Sequence, residues 1–270
     1  MAETTLLDEL AQMVGSAREA AWILEQIEDP EVARSIAHRR AMGQPLQYLL
    51  GSWPFRTIEL TVDDRALIPR PETEQVVEQA LAAWRRTRPG LEALVIADLG
   101  TGTGAIGLSL GVELSAEASI ERILLVDLSP AALELAGENA RLLGVEVELH
   151  CGSWHEGVPS ERLGGIHLLV SNPPYVAVAD EPMLGVELAY EPRMALFAAD
   201  ADDATPGFAD VASVIDGALD SLAPGGIVVV EMAEHQVPVA LERSRSSGLV
   251  DLEAFDDLAG HPRGIVGRAP

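Results

Sequence analysis

The chain has 270 residues, 48% of them hydrophobic and 23% charged, which excludes a disordered chain and suits one large globular domain with a smaller companion. Its 43 acidic residues against 18 basic ones leave a net charge of -25. That balance repels nucleic-acid phosphates and anionic membrane surfaces, so neither is an expected partner.

The single cysteine, Cys151, excludes an intramolecular disulfide and points to a reducing, cytoplasmic setting. Met1-Ala2-Glu3-Thr4-Thr5 has no basic n-region and leads into no long apolar stretch, so no signal peptide is expected. No run approaches the roughly 18 apolar residues of a membrane span, and no His/Cys spacing suggests a metal site.

Residues 1–43 predict a small domain of short helices. Leu6, Leu7, Leu10 and Val14 share one face, as do Ala20, Ile23, Leu24 and Ile27. Asp29-Pro30 reads as the cap and first position of a third helix, which Gly43 ends. Residues 44–74 predict a hairpin-like connector built from two alternating stretches, Gly43 to Gly51 and Phe55 to Val62. The connector closes on Leu67-Ile68-Pro69-Arg70-Pro71-Glu72-Thr73-Glu74. Pro71 with acidic neighbours starts a helix that runs to about Trp84. Arg70, stiffly held between two prolines, is either a helix cap or an active-site residue.

From residue 75 the pattern is strand–helix alternation, the mark of a mostly parallel sheet. Leu94 to Asp98 is a buried strand that runs into Gly100-Thr101-Gly102-Thr103-Gly104, then a helix from Ala105. Glycines there let the backbone approach a ligand at a helix N-terminus. A dinucleotide cofactor is the rival reading of such a loop. Asp98, ending the strand, can hold the loop or accept a bond from a cationic ligand group. The next strand, Arg122 to Asp127, places Asp127 where a carboxylate can take both hydroxyls of a ribose. Ser129-Pro130 starts a helix that Gly144 ends, and Val145 to His150 is a third strand. Trp154 falls at the same sheet edge, as a cover for an adenine or as core.

His167 to Ser171 is a fourth strand, stopped by Asn172-Pro173-Pro174-Tyr175. Prolines cannot donate to a sheet ladder, so this turn offers mainly oxygen acceptors. The Asn172 side-chain oxygen and a backbone carbonyl suit a planar –NH2 group, and Tyr175 offers a flat wall for stacking. The tetrapeptide alone also reads as a Pro-rich turn. Val176 to Pro206 is a long acidic segment whose most structured piece is Glu191 to Phe197. Gly207 to Leu222 is helical, Gly226 to Glu231 is a fifth strand, and a helix and two strands, near Val250 to Phe255 and Ile265 to Arg268, close the chain.

Together these motifs resemble the class I S-adenosylmethionine-dependent methyltransferases, and within them the protein-glutamine N5-methyltransferases, called HemK or PrmC, that modify peptide chain release factors. The resemblance rests on Gly43-x-Pro45-Leu46-x-Tyr48-Leu49-x-Gly51, the Leu67 to Glu74 stretch, Asp98 to Gly104, Asn172 to Tyr175, Glu191-Pro192-Arg193-x-Ala195-Leu196 and Asp257 to Gly260. It implies an α/β fold: a Rossmann-like seven-stranded sheet over residues 75–270, with the helical domain and connector before it. It implies a methyl-donor site at Gly100, Thr101, Gly102, Thr103, Gly104, Asp127, Trp154 and Asn172. It implies that Asn172, Pro173, Pro174 and Tyr175 bind the substrate glutamine, with Asn172, Pro173 and Tyr175 acting in transfer. A release factor is the implied partner. The tetrapeptide also occurs in amino-methyltransferases of nucleic acids, such as those acting on adenine N6. A non-catalytic paralogue is the other alternative. The chain departs from the family pattern in a short N-terminal helical segment, in Ser153 where an acidic residue commonly precedes the Trp, and in the acidic loop Ala198 to Ala204.

Overall fold

A computed structural model describes residues 5–87, 93–183, 185–201 and 205–270. The expectations placed on Met1 to Thr4 and on Asp202 to Ala204 lie outside the described residues.

Three capped helices come first: α1 (Leu6–Val14), α2 (Ala17–Gln26) and α3 (Pro30–Ala41). The side chains of Thr5, Ser16 and Asp29 accept N–H groups of the first turns, and Pro30 sits where a missing N–H costs nothing. Leu10, Ala20, Ile23, Ala33, Ile36, Ala37 and Leu46 form a core separate from that of the sheet.

The connector differs from expectation in one element. Leu46–Leu50, read as the first alternating stretch, is a short helix, α4, ended by Gly51 in the left-handed region at φ 78°. Its Leu-Gln-Tyr-Leu-Leu sequence has no β-branched residue to favour a strand, and Leu46 turns into the helical core. The hairpin forms just after it, from β1 (Ser52–Phe55) and β2 (Ile58–Thr61). Trp22 meets Trp53 of β1 edge to face at 5.5 Å, joining the helices to the hairpin. Pro71–Thr73 is a single 3-10 turn leading into α5 (Glu74–Thr87).

Next come β3 (Leu94–Leu99), α6 (Ala105–Leu114), β4 (Ile120–Asp127), α7 (Pro130–Leu143), β5 (Glu148–Cys151) and β6 (Ile166–Ser171). Short β7 (Val176–Ala177), α8 (Arg193–Leu196) and β8 (Phe197–Ala198) lie in the long acidic segment. The chain ends with α9 (Ala209–Ser221), β9 (Leu222–Glu231), α10 (Val237–Ser246), β10 (Val250–Asp256) and β11 (Pro262–Arg268).

The main sheet has seven strands in the order β10-β11-β9-β6-β3-β4-β5. β9, β6, β3, β4 and β5 are parallel, while β11 and β10 form an antiparallel edge. Helices α5, α6 and α7 cover one face, and α9 and α10 the other. Coverage on both faces explains why β3 is buried at every residue and reads as a continuous apolar run. From β3 the chain order runs outward through β4 and β5, then returns to β6 on the other side. The point of reversal lies between β3 and β6, where open α/β sheets bind ligands at their strands' carboxyl ends.

Candidate active site

A cavity of about 300 Å³ opens at that reversal. It lies against the Gly loop after β3, Asp127 after β4, Trp154 after β5 and Asn172 after β6. Motifs scattered over the sequence therefore converge because each follows a parallel strand at the same edge.

The Gly loop is fixed from beneath. Asp98 is wholly buried, and its Oδ2 accepts from Thr101 Oγ1 at 2.7 Å and from the Gly107 N–H at 2.9 Å. Burial pushes its carboxyl up to about 6, and those two donors pull against the shift. Asp98 is not part of the cavity wall, so of its two expected roles it fills the first and holds the loop. Gly100 and Gly102 take φ of 72° and 54°, which favour glycine. A Cβ on Gly100 would stand 3.0 Å from the Trp154 ring, so this glycine also admits the indole.

Asp127 is tied by both oxygens to backbone: Oδ2 accepts from the Gly102 N–H and Oδ1 from the Ser129 N–H, each at 2.9 Å. Burial raises its pKa, and these backbone donors oppose the rise. Each oxygen keeps a lone pair for a ligand hydroxyl. Trp154 lines the cavity with Ser153 and with Asp210 of α9, and the indole donates toward the Asp210 carboxylate.

At the other end, Asn172 Nδ2 donates to Thr73 Oγ1 at 2.9 Å. Its Oδ1 takes no partner among the described residues and remains available to the cavity that Asn172 lines. The proline turn is held rigidly. Gln236 Nε2 donates to the Tyr175 and Pro206 carbonyls, and Gly207 packs so closely that a Cβ would sit 2.5 Å from the Tyr175 oxygen. Ser171 ties β6 to β3 by donating to the Leu99 carbonyl at 2.7 Å.

Of the expected site residues, Gly100, Thr101, Gly102, Thr103, Asp127, Trp154, Asn172 and Pro174 line the cavity. Gly104 caps α6 just beyond it, and Pro173 is buried in the turn. Tyr175 also stands outside the wall, where its hydroxyl donates to Glu231 Oε1 at 3.2 Å. Its ring is half-buried and packs in part against the core on that side of the sheet.

The connector supplies residues that local pattern did not flag. Leu67, Ile68 and Thr73 line the cavity beside Arg70. Arg70 occupies the N-cap position of the 3-10 turn by backbone, but its side chain makes no cap bond and pairs with Glu191. Glu191, 6% exposed, also accepts the Ile68 N–H at 3.0 Å. Glu191 thus clamps the connector across the rim; the sequence marks it within the Glu191-Pro192-Arg193 motif but does not show its partners. Asn139 of α7 fastens the hairpin to the Gly loop, donating to the Thr61 and Thr103 carbonyls and accepting the Thr61 N–H. Among the described residues, no group of three or more His, Cys, Asp or Glu side chains is placed to hold a metal, and no helix is long and apolar enough to cross a membrane.

Comparison with known proteins gives the site its context. The model of the methyltransferase small domain matches residues 86–196. The "Release factor glutamine methyltransferase" of Bordetella pertussis is 37% identical over 252 residues, which cover 91% of this chain and 88% of that protein. Its namesake in Xylella fastidiosa is 35% identical over 262 residues, covering 93% and 88%. In structure, the hMettl16 catalytic domain aligns with a TM-score of 0.58 at 13% identity, over 87% of this chain and 81% of that one. That last likeness is one of fold alone.

Proposed function

The chain belongs to the release factor glutamine methyltransferases, and we propose that the cavity between β3 and β6 is where it methylates the side-chain amide of a release factor glutamine. S-adenosylmethionine is the methyl donor in this reading. The cavity suits it: a glycine loop whose Gly100 lies tight against the Trp154 ring, the half-satisfied Asp127 carboxylate, and apolar walls from Ile106, Leu128 and Ala132. When bound, the donor supplies an electrophilic sulfonium methyl.

The protein's part is orientation and charge. Asp127 would accept the ribose hydroxyls, and the Trp154 ring would cover the adenine. An amide nitrogen is a poor nucleophile because its lone pair is delocalised into the carbonyl. Asn172 Oδ1 and the Pro173 carbonyl accept its two N–H bonds and turn the nitrogen toward the methyl group. As the nitrogen attacks, the S–CH3 bond would break and S-adenosylhomocysteine would leave. Delocalisation is lost and the nitrogen's hydrogens become more acidic, so these bonds strengthen in the transition state, and one proton then passes to solvent. Alignment of this kind contributes up to roughly 7–11 kcal/mol in favourable intramolecular cases.

The observation that carries the reading is Asn172. It ends a central strand at the reversal point with its nitrogen engaged by Thr73 and its oxygen free toward the cavity. The test is a pair of variants. Asp127→Ala should weaken S-adenosylmethionine binding by calorimetry, and Asn172→Ala should weaken it far less than it slows single turnover, which should fall on the order of 10²–10³. Unchanged affinity in the first removes Asp127 from the site, and a near-full rate in the second overturns the amide clamp.

A further inference from the structure

A carboxamide keeps almost the same shape when it turns half a revolution about its last bond, but oxygen and nitrogen change places. In one orientation Asn172 presents an acceptor to an incoming –NH2 group. In the other it presents a donor to a donor. Neither the strand nor the prolines decide between them; the neighbours of the Asn172 head group do.

That neighbour is Thr73, 99 residues away in sequence, in the 3-10 turn of the connector. It is 3% exposed, and its Oγ1 accepts from Asn172 Nδ2 at 2.9 Å. Behind it stands Glu231, the last residue of β9, wholly buried. The Tyr175 hydroxyl donates to Glu231 Oε1, while Oε2 has no partner among the described residues. Burial pushes the Glu231 carboxyl up to about 7, offset first by the Thr73 hydroxyl and then by the Arg263 and Tyr175 side chains. A hydroxyl has one hydrogen. With that hydrogen turned away from Asn172, the Thr73 oxygen keeps lone pairs that accept the Nδ2 hydrogen at 2.9 Å.

We infer that Thr73, backed by Glu231, is a positioning residue that sets the Asn172 carboxamide with its oxygen toward the acceptor amide. The inference rests on the reading of Asn172 as the substrate clamp. It also gives the Tyr175 hydroxyl a place, bonded to the carboxylate beside Thr73.

A double-mutant cycle on the full-length enzyme tests it, with single-turnover methyl transfer to release factor at saturating donor and calorimetric affinity for S-adenosylhomocysteine as the two readouts. Thr73→Val keeps the shape and removes the acceptor. It should slow transfer on the order of 10²-fold, the usual effect of a misplaced reacting group, far more than it changes S-adenosylhomocysteine affinity. Thr73→Ser should recover most of that rate. In the Asn172→Ala background, Thr73→Val should add no further loss. Glu231→Gln offers an N–H to the Thr73 oxygen and so permits the turned amide; it too should slow transfer only while Asn172 is present, and it decides the matter if Thr73→Val fails to bind donor. Equal losses in both backgrounds, or no recovery with serine, overturn the inference while leaving the clamp standing. If Asn172→Ala alone keeps the full rate, the clamp itself is wrong and the inference falls with it.

Discussion

Asn172→Asp separates geometry from charge at the head of β6. Aspartate keeps two acceptors for the substrate amide but adds a negative charge beside a cationic donor. That charge stabilises the sulfonium ground state, which is neutralised as the methyl leaves, so the variant should bind donor about as well as the parent and transfer slowly. Tight binding with an undiminished rate would contradict the account. Asp98 makes a different residue-scale prediction. Burial lifts its carboxyl from 3.8 to about 6, so the folded state holds this proton more tightly than the unfolded chain does. The group carries no penalty below about pH 4 and costs stability as pH rises through about 6, reaching roughly 3 kcal/mol. Asp98→Asn removes that titration. In urea unfolding, the stability of the variant relative to the parent should rise between about pH 4 and pH 7. A difference that stays constant over that range would show that Asp98 does not titrate in this way. Local motif made Asp98, Asp127, Asn172 and the Gly loop legible in the sequence, because each sits beside the strand that positions it. The roles of Thr73, Glu191 and Glu231 were not, since their partners lie 99, 121 and 56 residues away, although Thr73 and Glu191 fall in motifs that carry the resemblance.

At the scale of elements, the connector is held over the cavity by one carboxylate. Glu191 accepts from both the Ile68 N–H and the Arg70 guanidinium, and Glu191 itself is buried. Glu191→Ala leaves a backbone donor unsatisfied, which costs about 1–3 kcal/mol, and unpairs Arg70. It should lower both the urea midpoint and the donor affinity, because Leu67, Ile68 and Arg70 form part of the cavity wall. Glu191→Gln keeps an acceptor for Ile68 and should lose less of each. Equal losses in the two variants would assign the effect to charge alone. The strands and long helices of the sheet were legible because apolar runs and caps mark them directly. Leu46–Leu50 was not: five residues cannot distinguish a turn of helix from alternation, and contact with the N-terminal core decided it. The start of α5 shifted for a related reason, as Pro71 opens a 3-10 turn that puts Thr73 beside Asn172 before the regular helix begins.

Across the whole molecule, the order of parallel strands does what no single motif does. It brings the loops after β3, β4, β5 and β6 to one edge, and the connector and the acidic segment close over them. Arg40 of α3 extends that closure to the N-terminal helices, pairing with Glu19 and with Glu187 of the acidic segment, both at 2.7 Å. The net charge of -25 belongs to this scale too, since it disfavours a polyanionic acceptor and agrees with a protein one. The most direct test of the account offers both acceptors at once. Release factor and ribosomal RNA are incubated together with the enzyme and isotopically labelled S-adenosylmethionine, and the label is located by tandem mass spectrometry. A single methyl group is expected on the side-chain nitrogen of one release factor glutamine. Label on the RNA or on another kind of side chain, with none on glutamine, would contradict it.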